Sequence, residues 1–173
     1  MKYHISLRIV HWLVAALVIA MLICGFLMNS LSAEIYPIKL QLKIWHKEFG
    51  LLVLLLMLFR LVLRNVTTIP APLKTLSPLE RISASWIHHL FYFFLILEPI
   101  IGYVKTNLGG HAVDFFGIKL PILLELNKPL SRLLSDLHST IAFILIAMIA
   151  LHALGALKHR YYDKQDVIYR MTY

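Results

Sequence analysis

Two histidines in the last long apolar stretch of the chain have a spacing that suits ligand chemistry. His138 and His152 lie fourteen residues apart within the segment 136–160, which is apolar over most of its length. In an α-helix this separation is nearly four whole turns, so both imidazoles project from one face, roughly 21 Å apart along the helix axis. One imidazole would therefore lie near each edge of an apolar bilayer core, which is about 30 Å thick.

Histidine inside a membrane helix is costly and is by default a candidate functional residue. A pair on one helix face, with one imidazole in each leaflet, suits the axial ligation of two stacked haems. The alternative is that both are polar residues that only pack between helices. Haem ligation requires a second histidine from another helix at each depth, so the choice depends on the rest of the chain.

The composition predicts an integral membrane protein. Of the 173 residues, 60% are hydrophobic and 15% are charged, whereas soluble domains are usually about 45–50% apolar and about 25% charged. The single cysteine, Cys24, excludes an internal disulfide and a thiolate-bound cluster. We expect an all-α protein, a four-helix membrane bundle that forms one domain over residues 1–173, with spans at about 9–28, 42–63, 86–104 and 137–158.

The formal net charge of +8 indicates contacts with anionic lipid headgroups. Nucleic acid is not expected as a partner, because basic runs with interleaved stacking aromatics are absent from the sequence.

Four spans put both termini on one side of the membrane. That side carries ten of the seventeen lysines and arginines, which favours a cytoplasmic location for the termini. Antiparallel threading brings His11 of the first span level with His152 at this side. It brings His46 of the second span level with His138 at the other side. Two pairs at two depths are what two bis-histidine b haems require.

Charged and small residues near these histidines have two interpretations each. Gly50, one turn after His46, lets a flat macrocycle approach the backbone or packs against another helix. Arg60 and Arg64, at the far end of the second span, bind haem propionates or set the topology at the headgroups. Arg8, three residues before His11, shares its helix face and joins the candidate cofactor-binding set.

Three features of the second half of the chain leave their roles open. Glu98, beside Pro99 in the third span, is a proton site or a carboxyl packed inside the bundle, and packing is favoured. No role is assigned to His88 or His89 at the start of that span. The loop 105–135 contains apolar patches and is expected to fold over the end of the bundle.

The chain resembles the bacterial di-haem cytochrome b561 family along almost its entire length. The matching segments are Arg8 with His11-Trp12, His46 with Gly50, Arg60 to Arg64, His89-Leu90, Pro99 with Gly102, Phe116-Gly117 with Pro121, and His138 with His152. The resemblance implies a four-helix bundle in the inner membrane, two b haems and electron transfer with quinone. It also implies the ligand pairs inferred above.

The size and plan are similar to those of the stand-alone members, one type of which passes electrons from periplasmic superoxide to ubiquinone. In that type a histidine seven residues after the last ligand lies beside the quinone, and the resemblance gives this role to His159. His159 lies two turns beyond His152, on the ligand face. The chain departs from that type in Glu98, in a less basic tail and in Arg160, where that type has a second histidine.

The resemblance therefore implies an oxidoreductase of the superoxide:ubiquinone type. Positive charge would draw an anionic donor to the outer haem, and the same residues are also candidates for headgroup anchors: Lys43, Lys47, Lys105 and Arg132. The alternative function is a quinol-oxidising cytochrome subunit that passes electrons to a partner redox protein. A haem-free metal-binding scaffold or transporter half is disfavoured, because histidine pairs at two depths cannot converge on one ion.

Overall fold

The computed structural model describes residues 2–31, 36–71, 75–165 and 167–172. Within these ranges the chain forms four long helices: α1 (Ile5–Ser30), α2 (Tyr36–Val66), α3 (Pro78–Leu108) and α4 (Lys128–Tyr161). Each is long and apolar enough to cross a membrane, so the prediction of a four-helix membrane bundle is confirmed. Pro72 and Lys74, which fall between the expected second and third spans, lie outside the described residues.

The helices extend past the apolar stretches because polar caps start them early. Ser77 and Glu80 form a reciprocal capping box before α3, and Pro78 occupies its first turn. Asn127 caps α4, its side-chain oxygen accepting from the amide of Leu130 at 3.1 Å. As a result the expected loop 105–135 is shorter, and α4 begins well ahead of its apolar core.

The helices pack in chain order, α1 against α2, α2 against α3 and α3 against α4. Aliphatic side chains from all four helices fill the middle of the bundle, among them Val14, Val53, Leu95 and Leu145. Close backbone packing of α4 is with α3, so α4 reaches α1 and α2 mainly through its side chains.

A short hairpin closes one end of the bundle, called here the loop end. Strands β1 (Val113–Phe115) and β2 (Ile118–Leu120) pair antiparallel, and the amide of Phe116 donates to Glu48 Oε1 of α2 at 3.3 Å. The fully buried Asn107, near the end of α3, accepts from the amide of Leu123 in the loop at 2.8 Å. The loop therefore folds back onto the bundle as expected, and its two strands are a small addition to the predicted all-α fold.

Both termini lie at the opposite end, called here the termini end. The amide of Tyr3 donates to the carbonyl of Arg170 at 3.1 Å, and the indole of Trp12 donates to the carbonyl of Met171 at 2.8 Å. Arg8 also hydrogen-bonds the carbonyl of Thr172. The C-terminal tail is thus tied across the start of α1.

Candidate functional site

Two histidines face each other at the loop end. His46 of α2 and His138 of α4 have ring centroids 6.1 Å apart, with an interplanar angle of 79°. The cavity beside them is lined in part by Lys47, Gly50 and Lys105. Antiparallel threading of the spans predicts this pair, and the fold brings it together.

Small residues make room for both rings of this loop-end pair. A Cβ atom added at Gly25 of α1 would lie 3.6 Å from His46 Cε1, and one added at Gly102 of α3 would lie 3.3 Å from His138 Cε1. The second distance is tighter than ordinary van der Waals contact, so a side chain at Gly102 would displace the ring. Neither glycine was a predicted site residue, although each lies level with a ligand candidate in an antiparallel bundle.

A carboxyl group from α3 contacts the loop-end pair. Glu98 Oε1 lies 3.0 Å from His138 Nδ1, and both side chains are largely buried. The alignment of this contact falls short of a hydrogen bond. Among the described residues, His138 Nδ1 has no hydrogen-bond partner, and the other carboxyl oxygen, Glu98 Oε2, has none either. Packing inside the bundle, the interpretation favoured from sequence, therefore describes the position of Glu98 but omits its contact with a ligand candidate.

A second histidine pair lies at the termini end. His11 of α1 and His152 of α4 have ring centroids 6.4 Å apart, with an interplanar angle of 76°. The ring centroids of His88 and Phe91 in α3 each lie 5.5 Å from the ring centroid of His152. His88 is a neighbour that the sequence did not assign, because only tertiary packing decides which of two consecutive histidines faces the pair. His89 instead hydrogen-bonds the carbonyl of Ser85 one turn earlier at 2.7 Å.

The predicted arginines lie at the termini end. Arg60 donates to the hydroxyl of Tyr92 and to the carbonyl of Leu7, both at 3.1 Å, and Arg64 lies 5.9 Å from the centroid of the Tyr92 ring. The buried Nε of Arg8 has no hydrogen-bond partner among the residues that the structure describes. An orphaned guanidinium nitrogen here suits an anionic group such as a haem propionate.

Gly50 lies beside open space. A Cβ atom added to it would meet no heavy atom of the described residues within 4 Å, and the residue lines the loop-end cavity. Close helix packing within the chain therefore does not explain this glycine, whereas approach of a flat ligand to the backbone would.

Between the two pairs the bundle is apolar. Val18, Met57 and Ile141 belong to one buried hydrophobic cluster drawn from different helices. This cluster separates the polar groups around one histidine pair from those around the other. The two pairs are therefore separate sites in one bundle.

His159 belongs to a polar cluster at the end of α4. Its Nδ1 lies 2.7 Å from Asp163 Oδ2, so an Nδ1–H donates a hydrogen bond to the carboxylate and Nε2 of the neutral ring is an acceptor. Lys158 lies 3.0 Å from the same carboxylate oxygen and also pairs with Glu80 of α3. The hydrogen bond from Lys158, followed by that from His159, holds the pKa of Asp163 below its usual range. The spacing of four residues is a helical signal for this contact, which the sequence interpretation did not use.

The donor set and its spacing fit an iron bound between each pair of imidazoles. Two metal–nitrogen bonds of about 2 Å, together with the radius of each ring, separate the ring centroids by roughly 6 Å. The observed separations are 6.4 Å and 6.1 Å. The open space at Gly50 fits the plane of a haem at the loop end, and the orphaned nitrogen of Arg8 fits a propionate of a haem at the termini end.

Fold and site together define a class: a membrane-embedded helical bundle with facing histidines at two levels. The family model described as prokaryotic cytochrome b561 matches residues 2–173. The chain belongs to the prokaryotic cytochrome b561 family, whose members are haem b proteins of membrane electron transfer.

Two curated proteins show the same relationship over nearly the whole chain. "Cytochrome b561 homolog 2" of Escherichia coli K12 is 29% identical, covering 98% of this chain and 90% of the relative. "Probable superoxide oxidase CybB" of Yersinia pestis is 30% identical, covering 94% of this chain and 90% of the relative. The suspected family is therefore confirmed.

Proposed function

We propose that this protein carries electrons across the bacterial inner membrane through two haem b groups. The donor is a one-electron reductant at the loop end, and the acceptor is ubiquinone at the termini end. The observation that carries the proposal is the pairing of four histidines at two levels, with ring-centroid separations of 6.4 Å and 6.1 Å. In this assignment His11 and His152 hold one iron, and His46 and His138 hold the other.

Each haem, when bound, supplies a one-electron redox couple. The protein contributes ligation, orientation and exclusion of water. His11 with His152, and His46 with His138, would each supply two imidazole ligands to one haem iron. The aliphatic cluster between the pairs excludes water from the space that separates them.

Superoxide is the donor that the loop-end charges favour. Lys47 and Lys105 line the cavity that also contains His46 and His138, and positive charge at a cleft raises the local concentration of an anion. Lys43 and Arg132, the other predicted cations, are exposed and are better suited to headgroup contacts. Similarity to a protein named as a probable superoxide oxidase supports the same donor.

His159 is the proposed contact of ubiquinone. Its Nδ1–H donates to Asp163 at 2.7 Å, so Nε2 is an acceptor in the neutral ring and donates a hydrogen bond to a quinone carbonyl when the ring is the imidazolium. The ion pair with Lys158 keeps the carboxylate charged, which stabilises an imidazole that takes up and passes on protons. The termini end then faces the cytoplasm, from which the protons of the quinol are drawn.

Two measurements on the purified protein test this function. A pyridine haemochrome assay should give two haem b per chain, and one or none would overturn the proposal. In stopped-flow experiments superoxide should reduce the haems, and a ubiquinone analogue should reoxidise them. Superoxide dismutase added beforehand is the control that should abolish reduction. If a quinol reduces the haems and superoxide does not, the protein is the quinol-oxidising subunit that feeds a redox partner.

A further inference from the structure

We infer that Glu98 is a positioning residue for the loop-end haem: it acts through Nδ1 of His138 and sets both the orientation and the donor strength of that ligand. The inference rests on the proposed function, because it takes His138 as an iron ligand. It concerns a carboxyl group that the resemblance to the family does not account for.

The contact itself is the first observation. Glu98 Oε1 lies 3.0 Å from His138 Nδ1, with side-chain exposures of 13% and 16%. Glu98 Oε2 and His138 Nδ1 have no hydrogen-bond partner in the part of the chain that the structure describes. Buried polar atoms without partners are costly, above all inside a membrane. The Glu98 carboxyl group and the His138 imidazole are therefore close enough to act as hydrogen-bond partners for each other.

The local shape of α3 is the second observation. Pro99 follows Glu98 inside the helix, and a proline there removes one backbone hydrogen bond and bends the helix. Gly102, one turn after Glu98, leaves room for the ring of His138, since an added Cβ would lie 3.3 Å from Cε1. The same turn of α3 thus supplies both the space for the imidazole and a carboxyl oxygen 3.0 Å from its Nδ1.

The other ring of the loop-end pair, that of His46, has no such carboxyl contact among the described residues. His46 Nδ1 is also buried without a hydrogen-bond partner among the described residues, and the small residue against it is Gly25 of α1. Among the described residues, His138 has a carboxyl oxygen close to its Nδ1 and His46 has an unpartnered Nδ1, so the two rings of this pair are unequal.

The chemistry follows from the acceptor. A histidine whose Nδ1–H is held by a carboxylate presents Nε2 to the metal in a fixed orientation and is a more basic ligand. A more basic ligand stabilises the oxidised iron, so the midpoint potential of that haem is lowered. In other metal sites, removal of such a partner typically lowers the metal affinity about 10- to 100-fold.

The test is redox titration of the purified holoprotein with Glu98→Gln. Glutamine keeps the size of the side chain and removes the carboxylate. We expect both haems to stay bound, the midpoint potential of the loop-end haem to rise, and its low-spin EPR signal to shift. The termini-end haem should be unchanged. The signal that is absent from His138→Ala identifies the loop-end haem.

Glu48→Gln is the matched control. Glu48 lies at the same end of the bundle, but its carboxylate accepts from the amide of Phe116. If the effect of Glu98 depended on charge at that end alone, both variants would shift the loop-end potential. We expect a shift from Glu98→Gln without a comparable shift from Glu48→Gln.

The outcomes separate this inference from the proposed function. Two haems in the wild type, with both potentials and EPR signals unchanged in Glu98→Gln, would overturn the inference and leave the function standing. A wild type without a haem between His46 and His138 would overturn both. If Glu98→Gln fails to fold, Glu98→Asp is titrated instead. Its shorter carboxylate withdraws from Nδ1 and should raise the same potential, and an unchanged potential there would also overturn the inference.

Discussion

The two ends of the bundle present similar imidazole pairs in different surroundings. At the loop end, His138 contacts a carboxyl group from α3 at 3.0 Å, and the hairpin folds over the site. At the termini end, His152 is met by the rings of His88 and Phe91. Arginines lie nearby, among them Arg60 with its two cross-helix hydrogen bonds.

The difference indicates that ligand identity and tuning are separate properties of this fold. In the proposed function, four histidines on three helices determine what is bound, and the residues around them determine how easily each site accepts an electron. Guanidinium charge stabilises a reduced site, and a carboxylate against a ligand stabilises an oxidised one. Lys47 and Lys105 line the loop-end cavity as well, so the asymmetry depends on the direct contact of Glu98. We expect the lower midpoint potential at the loop end, which favours electron flow toward the termini end.

The largest expected effect is loss of a whole haem. His46→Ala or His138→Ala should remove the loop-end haem and leave the other, whereas His11→Ala or His152→Ala should do the reverse. Absorption spectra of the four purified variants provide the measurement, and each variant is the control for the opposite end. Loss of the same spectral component from His11→Ala and His138→Ala would contradict the pairing.

A large effect confined to the termini end is expected from His159. His159→Ala should keep both haems and their reduction by the donor, and should slow reoxidation by a soluble ubiquinone analogue about 100-fold, the usual contribution of a positioned acid–base group. Reoxidation can be followed in the visible band. His89→Ala is the matched control, since His89 is exposed and hydrogen-bonded within its own helix. Reoxidation of His159→Ala at the wild-type rate would remove it from the quinone site.

Asp163 should show an intermediate effect. Asp163→Asn weakens the contact that orients His159 and should slow reoxidation less than His159→Ala does. The lowered pKa of Asp163 means that the carboxylate is charged above its ordinary pKa of about 4 and loses its charge only as the pH falls through the lowered value. Asp163→Asn should therefore slow reoxidation at every pH from about 5.5 to 8, where the wild-type carboxylate is charged, and a wild-type rate within that range would contradict the assignment.

The smallest effect is expected from Gly50. Gly50→Ala adds one methyl group to the open space beside the loop-end cavity and should modestly lower the occupancy of the loop-end haem, with a larger loss for Gly50→Val. The termini-end haem of the same molecule is the internal control. Equal occupancy of both haems in Gly50→Val would show that no macrocycle approaches this backbone.

Much of this arrangement can be predicted from the sequence, because helical periodicity and antiparallel threading determine depth. The spacing of His138 and His152 places them at two depths in the membrane. Antiparallel threading then places His11 at the depth of His152 and His46 at the depth of His138. Contacts between residues one helical turn apart can also be predicted from sequence. The contact of His159 with Asp163 was missed, although its i, i+4 spacing indicates it.

What sequence could not provide is contact between helices that are distant along the chain. The choice between His88 and His89 depends on the rotation of α3, and the approach of Glu98 to His138 depends on where Pro99 bends that helix. The hairpin was missed because strands of three residues carry almost no periodic signal. The early start of α4 results from the Asn127 cap rather than from the apolar pattern.

The position of α4 has a consequence for biogenesis. This helix, the fourth of the long helices to leave the ribosome, supplies one imidazole to each pair, and α1 and α2 supply the partners His11 and His46. Neither proposed cofactor site is complete in the nascent chain until α4 has entered the bilayer, so we expect cofactor loading to follow insertion of α4 at both sites. A premature stop codon between His138 and His152 removes the termini-end site, and one before His138 removes both, whatever becomes of the first three helices.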